Sequence, residues 1–299
     1  MRWLGLLMLV VCAGCSGGGT DLVTLYAAQD QEYVAPILKK FTKETGVKVE
    51  VVYDNEVVKT VGMANRLLAE RRHPQCDVFW NNEELRTRQL GAEGVFRQSN
   101  GWASFGARTR KLVINTNLVA AKDVPKSLLE LTNSLWKGKV SLAYPLFGST
   151  ATHFLALRQT WGEAGWERWC RALAENKPYL LDGNSMVVRH VAKGESWIGL
   201  TDSDDIAAGQ REGLPVKPIA FRESMSMPNS VAVTRDAPHP ENAERLFVFL
   251  QSAPVTELLQ RASALERGEP ANEGVPVDWG KLLGELRVGT AELEQIFLR

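Results

Sequence analysis

The stretch LVTLYAAQDQEYVAPILKKFTKETGVKVEVV, residues 22–52, decides the fold of this chain. Its first six residues predict a short apolar strand, and the alternating valines of 47–51 predict a second one. The segment between them carries apolar residues at the spacing of one helix face, namely Val34, Ile37, Leu38 and Phe41. A strand, a helix and a strand in this order are typical of βα units on a mostly parallel sheet.

The same alternation continues along the chain. Residues 76–80 (CDVFW) predict a third strand, apolar enough to lie inside a sheet that is covered on both faces. Further strands are predicted at 110–115, 140–144, 196–200 and 230–233, with helices between and after them. We therefore expect an α/β fold with mixed, mostly parallel sheets.

Two domains are expected from the length, because one domain usually takes roughly 150 residues and the chain has 299. No Pro- or Ser-rich linker separates two halves, so we expect the chain to cross between two lobes through strands at 110–115 and 230–234. The predicted ranges are 21–110 for the first lobe, to which about 234–275 returns, and 111–233 for the second lobe, on which part of 276–299 packs.

The composition is that of an ordinary globular protein, with 44% hydrophobic and 23% charged residues. It excludes a disordered, collagenous or disulfide-scaffold chain. The 35 basic residues balance the 35 acidic ones, and no basic stripe of the kind that neutralises phosphates is visible. We therefore expect no nucleic-acid partner.

The first fifteen residues differ from the rest of the chain. After Arg2, the apolar run of 3–11 is too short to span a membrane, which takes about 20 residues, so 1–14 is interpreted as a signal peptide. The ending Cys12-Ala13-Gly14-Cys15 resembles the bacterial lipoprotein box, with Cys15 as the lipidated residue; an ordinary cleavable signal is the alternative. Residues 15–20 then form a flexible tether, and the protein lies outside the cytoplasm, held to a bacterial membrane by a lipid anchor only.

Two cysteines remain in the body, Cys76 and Cys170. Export permits a disulfide, but the two residues fall in different predicted domains. We expect two buried free thiols.

Polar side chains follow several predicted strands of the second domain. Gly148, Ser149 and Thr150 precede a helix and suit either an anion or a plain helix cap. Asn184 stands before a helix in the same way. A third cluster, Asp202, Asp204 and Asp205, suits a cation, an ammonium group or sugar hydroxyls, although acidic residues also favour the first turn of a helix.

The first domain carries polar clusters at matching places. Asp30 follows the first strand, and Asn82 and Glu83 follow the third, with Trp80 expected to line the cleft. Because ligands bind at the carboxyl ends of strands in open α/β sheets, we expect all five clusters to face one crevice between the lobes. Arg108 and Arg110 share one face of the crossing strand and could reach an anion there, or form a surface salt bridge.

Several enzyme classes lack their motifs in this sequence. The four histidines have no metal-ligand spacing, which disfavours a zinc enzyme, and only His153 lies near a candidate site. No GxSxG and no nucleotide P-loop is present.

The chain resembles the ferric-iron-binding type of bacterial extracellular solute-binding protein, the capture component of ABC importers. The resemblance is carried by LYAAQD (25–30), FTKETGVKV (41–49), CDVFWNNEE (76–84), WKGKV (136–140) and APHP (237–240). It implies a two-lobed periplasmic-binding-protein fold of type II, no catalysis, no cofactor, and an ABC permease with its ATPase as partners of a monomer.

The resemblance also implies roles for residues. Family members with iron use a Tyr pair, a His and a Glu, with an anion at a helix start. Here the anion segment corresponds to Gly148–Thr150 with Asn184, and the Glu to Glu83 or Asn82. The His position holds Asp30, and the Tyr pair falls on Asp204 and Asp205. If iron is bound, its ligands are expected to be Asp30, Glu83, Asp204 and Asp205.

The absence of the tyrosines leaves the ligand open between two classes. The family also includes proteins for sugar phosphates and aminoethylphosphonate, so one expectation is a phosphorylated or phosphonate compound, and the other is iron with a helper anion. Rival functions are an extracytoplasmic enzyme, with Asp204 and Glu83 as acid and base, and a sensory binding protein.

Overall fold

The structure is a computed structural model that describes residues 21–53, 59–267 and 274–298. The expected signal peptide at 1–14, the lipidation of Cys15 and the tether at 15–20 lie outside the described residues. Within these described ranges, no helix combines the length and the apolar character that a membrane crossing requires.

Nine strands form one continuous sheet within the described ranges. They are β1 (Leu22–Ala27), β2 (Lys48–Tyr53), β3 (Val78–Asn81), β4 (Trp102–Asn115), β5 (Val140–Ala143), β6 (Tyr179–Leu181), β7 (Ile198–Asp202), β8 (Val216–Ile219) and β9 (Ser226–Val233). The spatial order is β2-β1-β3-β9-β4-β7-β5-β6, and β8 pairs with β4.

Ten α-helices cover the faces of this sheet in the described part of the chain. They are α1 (Gln31–Thr45), α2 (Lys59–Glu70), α3 (Glu84–Ala92), α4 (Gly148–Trp161), α5 (Glu163–Glu175), α6 (Asn184–Ala192), α7 (Ser203–Arg211), α8 (Pro240–Leu250), α9 (Ala253–Arg261) and α10 (Trp279–Phe297).

The long strand β4 joins two halves of the sheet. Its residues 102–109 pair with β9 next to β3, β1 and β2, and we name these strands the first sheet half. Its residues 110–115 pair with β7 and β8, β7 pairs with β5, and β5 pairs with β6. We name these four strands the second sheet half. Each half contains the parallel βα pairs that the sequence predicts.

The return crossing lies earlier in the chain than predicted. We expected it at 230–234, but β9 is already paired with the first sheet half, with Ser230 opposite Asn81 and Met227 opposite Arg108. The chain therefore returns before Ser226, and residues 226–233 of the predicted second lobe (111–233) belong to the first sheet half. Polar and proline residues at 226–229 hid the start of this strand in the sequence.

Each sheet half has its own hydrophobic core. In the first, Leu25, Phe41 and Val78 pack with residues of α8 and α9, so the chain after β9 returns to this half. In the second, Leu142, Phe154 and Trp166 pack with α10, whose contacts are made by Leu282, Leu286 and Leu293. The C-terminal helix thus covers the second core, and it also contacts α3.

Two side-chain predictions have different outcomes. Cys76 and Cys170 are both free and buried, which confirms the expected pair of thiols, and burial raises the pKa of each. Trp80 does not line a cleft as predicted, because its ring is fully buried in the first core, 5.9 Å from the ring centroid of Phe105.

We predict that Leu282→Ala on α10 lowers the free energy of unfolding by about 2–5 kcal/mol, because it leaves a cavity in the second core. Urea unfolding measures this. The matched control is Val288→Ala on the same helix, where the side chain is 49% exposed, and a change within about 0.5 kcal/mol is expected. Equal effects of the two substitutions would contradict the packing described for α10.

Candidate functional site

A β-bulge in β4 sets the direction of the two arginines. The register with β9 shifts between Phe105 and Ala107, at Gly106, whose φ is 57°. A shift of one residue moves all later side chains to the other face of the strand. Arg108 and Arg110 therefore share a face with Phe105. This φ favours glycine here, and a Cβ would also require Leu265 to move, since it would lie 2.4 Å from Leu265 Cδ1.

Asp202 meets these arginines from the neighbouring strand. It is the last residue of β7, directly opposite Arg110 in the antiparallel register, and opposite residues of such a pair project on the same side. Arg110 Nη1 donates to Asp202 Oδ1 over 2.7 Å. Arg108 donates to Oδ2 through Nε at 3.0 Å, and its Nη2 lies 2.9 Å from the same oxygen in an ion pair. All three side chains are at most 3% exposed.

The predicted anion segment is directed at the same carboxylate. Ser149, at the start of α4, donates through Oγ to Asp202 Oδ2 at 2.7 Å, and Asn184 Nδ2, at the start of α6, donates to that oxygen at 3.0 Å. Thr150 Oγ1 accepts from Arg110 Nη2 at 3.1 Å. We name the four donors the Asp202 cradle: Arg108, Arg110, Ser149 and Asn184.

The cradle keeps Asp202 ionised. Burial alone raises the pKa of a carboxyl group, but here the positive charges of Arg108 and Arg110 outweigh burial and hold the pKa of Asp202 at about 2. The two arginines were expected to contact an anion or to form a surface salt bridge. They contact an anion that the chain itself supplies, and the ion pairs are buried.

Three carboxylates lie together at the end of β7 and the start of α7. One oxygen from each of Asp202, Asp204 and Asp205 lies within 4.8 Å of the others, and we name this group the carboxylate cluster. Asp204 Oδ1 is buried 3.4 Å from Arg108 Nε and accepts no hydrogen bond from the described part of the chain. The half-buried Asp30 at the start of α1 is close enough to act electrostatically on Asp204 and Asp205.

Burial and mutual repulsion disfavour the ionised forms of Asp204 and Asp205. Burial raises the pKa of Asp204 to about 7, with Arg108 opposing the shift and the charges of Asp202 and Asp30 adding to it. The pKa of Asp205 is raised well above its usual value by burial and by the neighbouring Asp204 and Asp202. A positively charged group placed between these carboxylates would relieve both shifts.

Glu83 and Asn82 lie at the junction of the two sheet halves. Glu83 caps α3, accepting from the backbone N–H groups of Leu85 at 2.5 Å and Arg86 at 3.1 Å. Its Oε1 also accepts from Thr152 Oγ1 of α4 at 2.9 Å. The carbonyl oxygen of Asn82 accepts from Arg108 Nη1. The expected roles of Asn82 and Glu83 toward a ligand stay predictions.

Sequence reasoning missed several contacts between the halves. The bond from Thr152 to Glu83 is one of them. The helical spacing from Gly148 could have shown that Thr152 lies one turn into α4. Arg211 Nη2 of α7 donates to Tyr33 Oη of α1 at 3.0 Å, a pairing without a local sequence signal. His153 is buried, and its Nε2 lies 2.7 Å from the carbonyl oxygen of Glu223. Burial and the charge of Arg110 lower its pKa to about 3.

The arrangement as a whole separates two chemical environments. At the starts of α4 and α6, donors surround one internal carboxylate. Next to it, Asp204 and Asp205 add carboxylate oxygens, and Arg108 lies 3.4 Å from Asp204. Such an oxygen-rich set suits a hard cation or an ammonium group.

Comparisons with known proteins agree with this architecture. A family described as "Bacterial extracellular solute-binding protein" matches residues 23–262. The "Major ferric iron-binding protein" of Neisseria meningitidis is 26% identical over 192 residues, which is 58% of this chain and 56% of that protein. The chain thus spans little more than half the length of that relative.

Two solved structures show the fold. Iron-bound HitA from Pseudomonas aeruginosa has a TM-score of 0.80 at 20% identity, covering 92% of this chain and 99% of HitA. The periplasmic binding protein AfuA from Actinobacillus pleuropneumoniae, with exogenous fructose-6-phosphate bound, has a TM-score of 0.73 at 18% identity, covering 92% and 96%. These likenesses confirm the predicted two-lobed α/β fold of periplasmic binding proteins.

We predict that the stability of the ligand-free protein falls as the pH rises from about 4 to about 7. The pKa of Asp204 is about 7 in the folded chain against an ordinary 3.8, so the folded state binds the proton more tightly. Asp204→Asn removes this ionisation. The variant should match the wild type near pH 4 and exceed its free energy of unfolding near pH 8 by up to about 4 kcal/mol.

Urea unfolding across this pH range measures the effect, which depends on the charges facing Asp204: Arg108, Asp202, Asp205 and Asp30. Asp182→Asn, an exposed position, serves as the control. Parallel stability curves for the wild type and Asp204→Asn would show that Asp204 has no raised pKa.

Proposed function

The chain belongs to the family of bacterial extracellular solute-binding proteins, and we propose that it captures a hard metal cation between its two lobes, with ferric iron as the first candidate. The observation that carries the proposal is the carboxylate cluster with Asp30. Asp204 Oδ1 is buried beside Asp202 and Asp205 and accepts no hydrogen bond from the described residues; the nearest positive charge is Arg108 Nε at 3.4 Å. An unsatisfied buried carboxylate oxygen is costly, and a bound cation removes that cost.

The relatives support the choice of cation. The Neisseria protein is named for ferric iron, and the Pseudomonas structure holds iron. The identities are low and the match to the Neisseria protein covers only part of it, so the cargo of this chain is a proposal. Carboxylates at the positions expected for the family's tyrosines still supply the oxygen ligands that hard cations prefer.

The transport role is part of the same proposal. The protein binds its cargo outside the cytoplasm as a monomer, anchored by a lipid on Cys15, and presents it to an ABC permease with its ATPase. It binds and releases the cargo without chemical change, so Asp204 and Glu83 are assigned no acid–base role. The family membership and the extracellular description of that family support this reading.

Closure around the cargo would depend on bonds between the lobes. Such contacts in the described structure include Thr152 with Glu83, Arg108 with the carbonyl of Asn82, and Arg211 with both Tyr33 and the carbonyl of Ala262. Bonds that exist only in the closed form favour that form, and a cation that contacts Asp30 and Asp204 together adds to the same preference.

A phosphorylated compound is the alternative cargo, favoured by the likeness to AfuA with fructose-6-phosphate bound. The side chains expected to hold the phosphoryl group, Ser149 and Asn184, both donate to Asp202. This occupation weighs against the alternative.

We predict that Asp205→Asn and Asp204→Asn each weaken ferric-iron binding at least about 30-fold, since removing a charge that directly meets the cation costs about 2 kcal/mol or more. Competition with a neutral hydroxamate chelator measures the affinity. Asp182→Asn, an exposed Asp near the start of α6, is the matched control and should bind as the wild type does. If the variants and the control bind iron equally, the cluster is not the site.

We also predict that Thr152→Val weakens iron binding about tenfold or more, because a hydrogen bond to a charged group contributes about 1.5–3 kcal/mol to the closed form. Thr160→Val is the control, since Thr160 lies on the same helix and bonds only within it. Small-angle scattering should show compaction on iron binding in both variants and the wild type. No compaction of the wild type would refute closure.

A further inference from the structure

The Asp202 cradle forms a complete binding shell around one carboxylate. Oδ1 accepts from Arg110, and Oδ2 accepts from Arg108, Ser149 and Asn184, all within 3.0 Å. These donors come from β4, α4 and α6, so three separate elements converge on one anion. An external anion bound at this place would need hydrogen bonds from the same donors.

The cradle leaves few donors for a second anion. Arg110 Nη1 bonds to Ser149 Oγ and Asn184 Oδ1 as well as to Asp202, and Nη2 bonds to Thr150. Arg110 Nε has no acceptor among the described residues, but an anion that approached it would meet the charge of Asp202. Like charges brought together in a buried site cost several kcal/mol.

The charges nearby point the same way. Asp202 and Asp204 together balance the two arginines, since Asp204 Oδ1 lies 3.4 Å from Arg108 Nε. Asp205 lies beside this pair, with one carboxylate oxygen within 4.8 Å of oxygens of Asp202 and Asp204. The three carboxylates together favour a cation at this place over a free anion such as phosphate.

We propose that Asp202 is a built-in anion that makes capture of the cargo independent of phosphate, carbonate or any organic anion. The inference rests on the proposed function, because it describes how the cation is taken up at that same site. Asp202 is thus a residue that determines specificity: it holds the arginines in place and excludes phosphorylated compounds from the starts of α4 and α6.

The first arm of the test uses inorganic phosphate with the metal-free protein. Phosphate should leave the unfolding temperature of the wild type and of Asp182→Asn unchanged. In Asp202→Asn the two arginines lose the countercharge of Asp202, and phosphate should raise the unfolding temperature by taking its place. Stabilisation of the wild type by phosphate would overturn the proposal.

The second arm measures ferric-iron affinity by hydroxamate competition, in buffer free of phosphate and carbonate and again with phosphate added. The wild-type affinity should be equal in both buffers, and iron-loaded wild type should contain no phosphorus by elemental analysis. Asp202→Asn should bind iron at least about tenfold more tightly with phosphate than without it. A phosphate requirement in the wild type would overturn the proposal.

The two proposals fail in different ways. If wild-type protein binds no iron in either buffer, the proposed function fails, while the phosphate arm still tests the built-in anion. If it binds iron only together with phosphate, the function holds and the built-in anion fails. Should Asp202→Asn not fold, both wild-type measurements remain decisive.

Discussion

The buried contact of Asp202 with Arg108 and Arg110 is the interaction on which the rest of the site depends. Two cations cannot stay inside a protein without a countercharge, and breaking such a pair by removing one partner typically costs about 3–5 kcal/mol. The arginines lie where β4 passes from one sheet half to the other. Asp202 therefore holds β7, α4 and α6 against the crossing strand. Arg108 also donates to the carbonyl of Asn82 and so links this group to the first half.

The site illustrates how one fold accommodates different ligands by exchanging charges. Relatives of this architecture include an iron-bound protein and one with a sugar phosphate, so the fold alone does not select the ligand. In this chain Asp202 lies at the starts of α4 and α6, where the sequence suggests an anion, and Asp204 and Asp205 lie beside it.

Much of the architecture could be predicted from the sequence, because short apolar strands and helix faces leave local patterns. Asp30, Asn184 and Asp202 follow strands, so their common edge was predictable. The pairing of Arg108 with Asp202 was not, because the two residues are 94 positions apart and the bulge at Gly106 decides which way Arg108 faces.

Other errors have equally local causes. Trp80 ends an apolar strand next to polar residues, which suggests a cleft position, but β3 lies between β1 and β9 and both of its faces are covered. The start of β9 carries Ser226, Pro228 and Asn229, which resemble a loop. Its pairing partner in β4 makes it a strand, and this partner is invisible in a window of a few residues.

The two buried thiols can serve as probes of local unfolding in the two sheet halves. Cys76 belongs to the core around Phe79 and Ala232 in the first sheet half, and Cys170 lies beside Phe154 and Trp169 in the second. A thiol reagent reaches either sulfur only when the surrounding core opens. Each half of the protein thus carries its own probe of local unfolding. A rigid movement of the halves about the crossing strands leaves both cores closed, so both thiols stay unreactive.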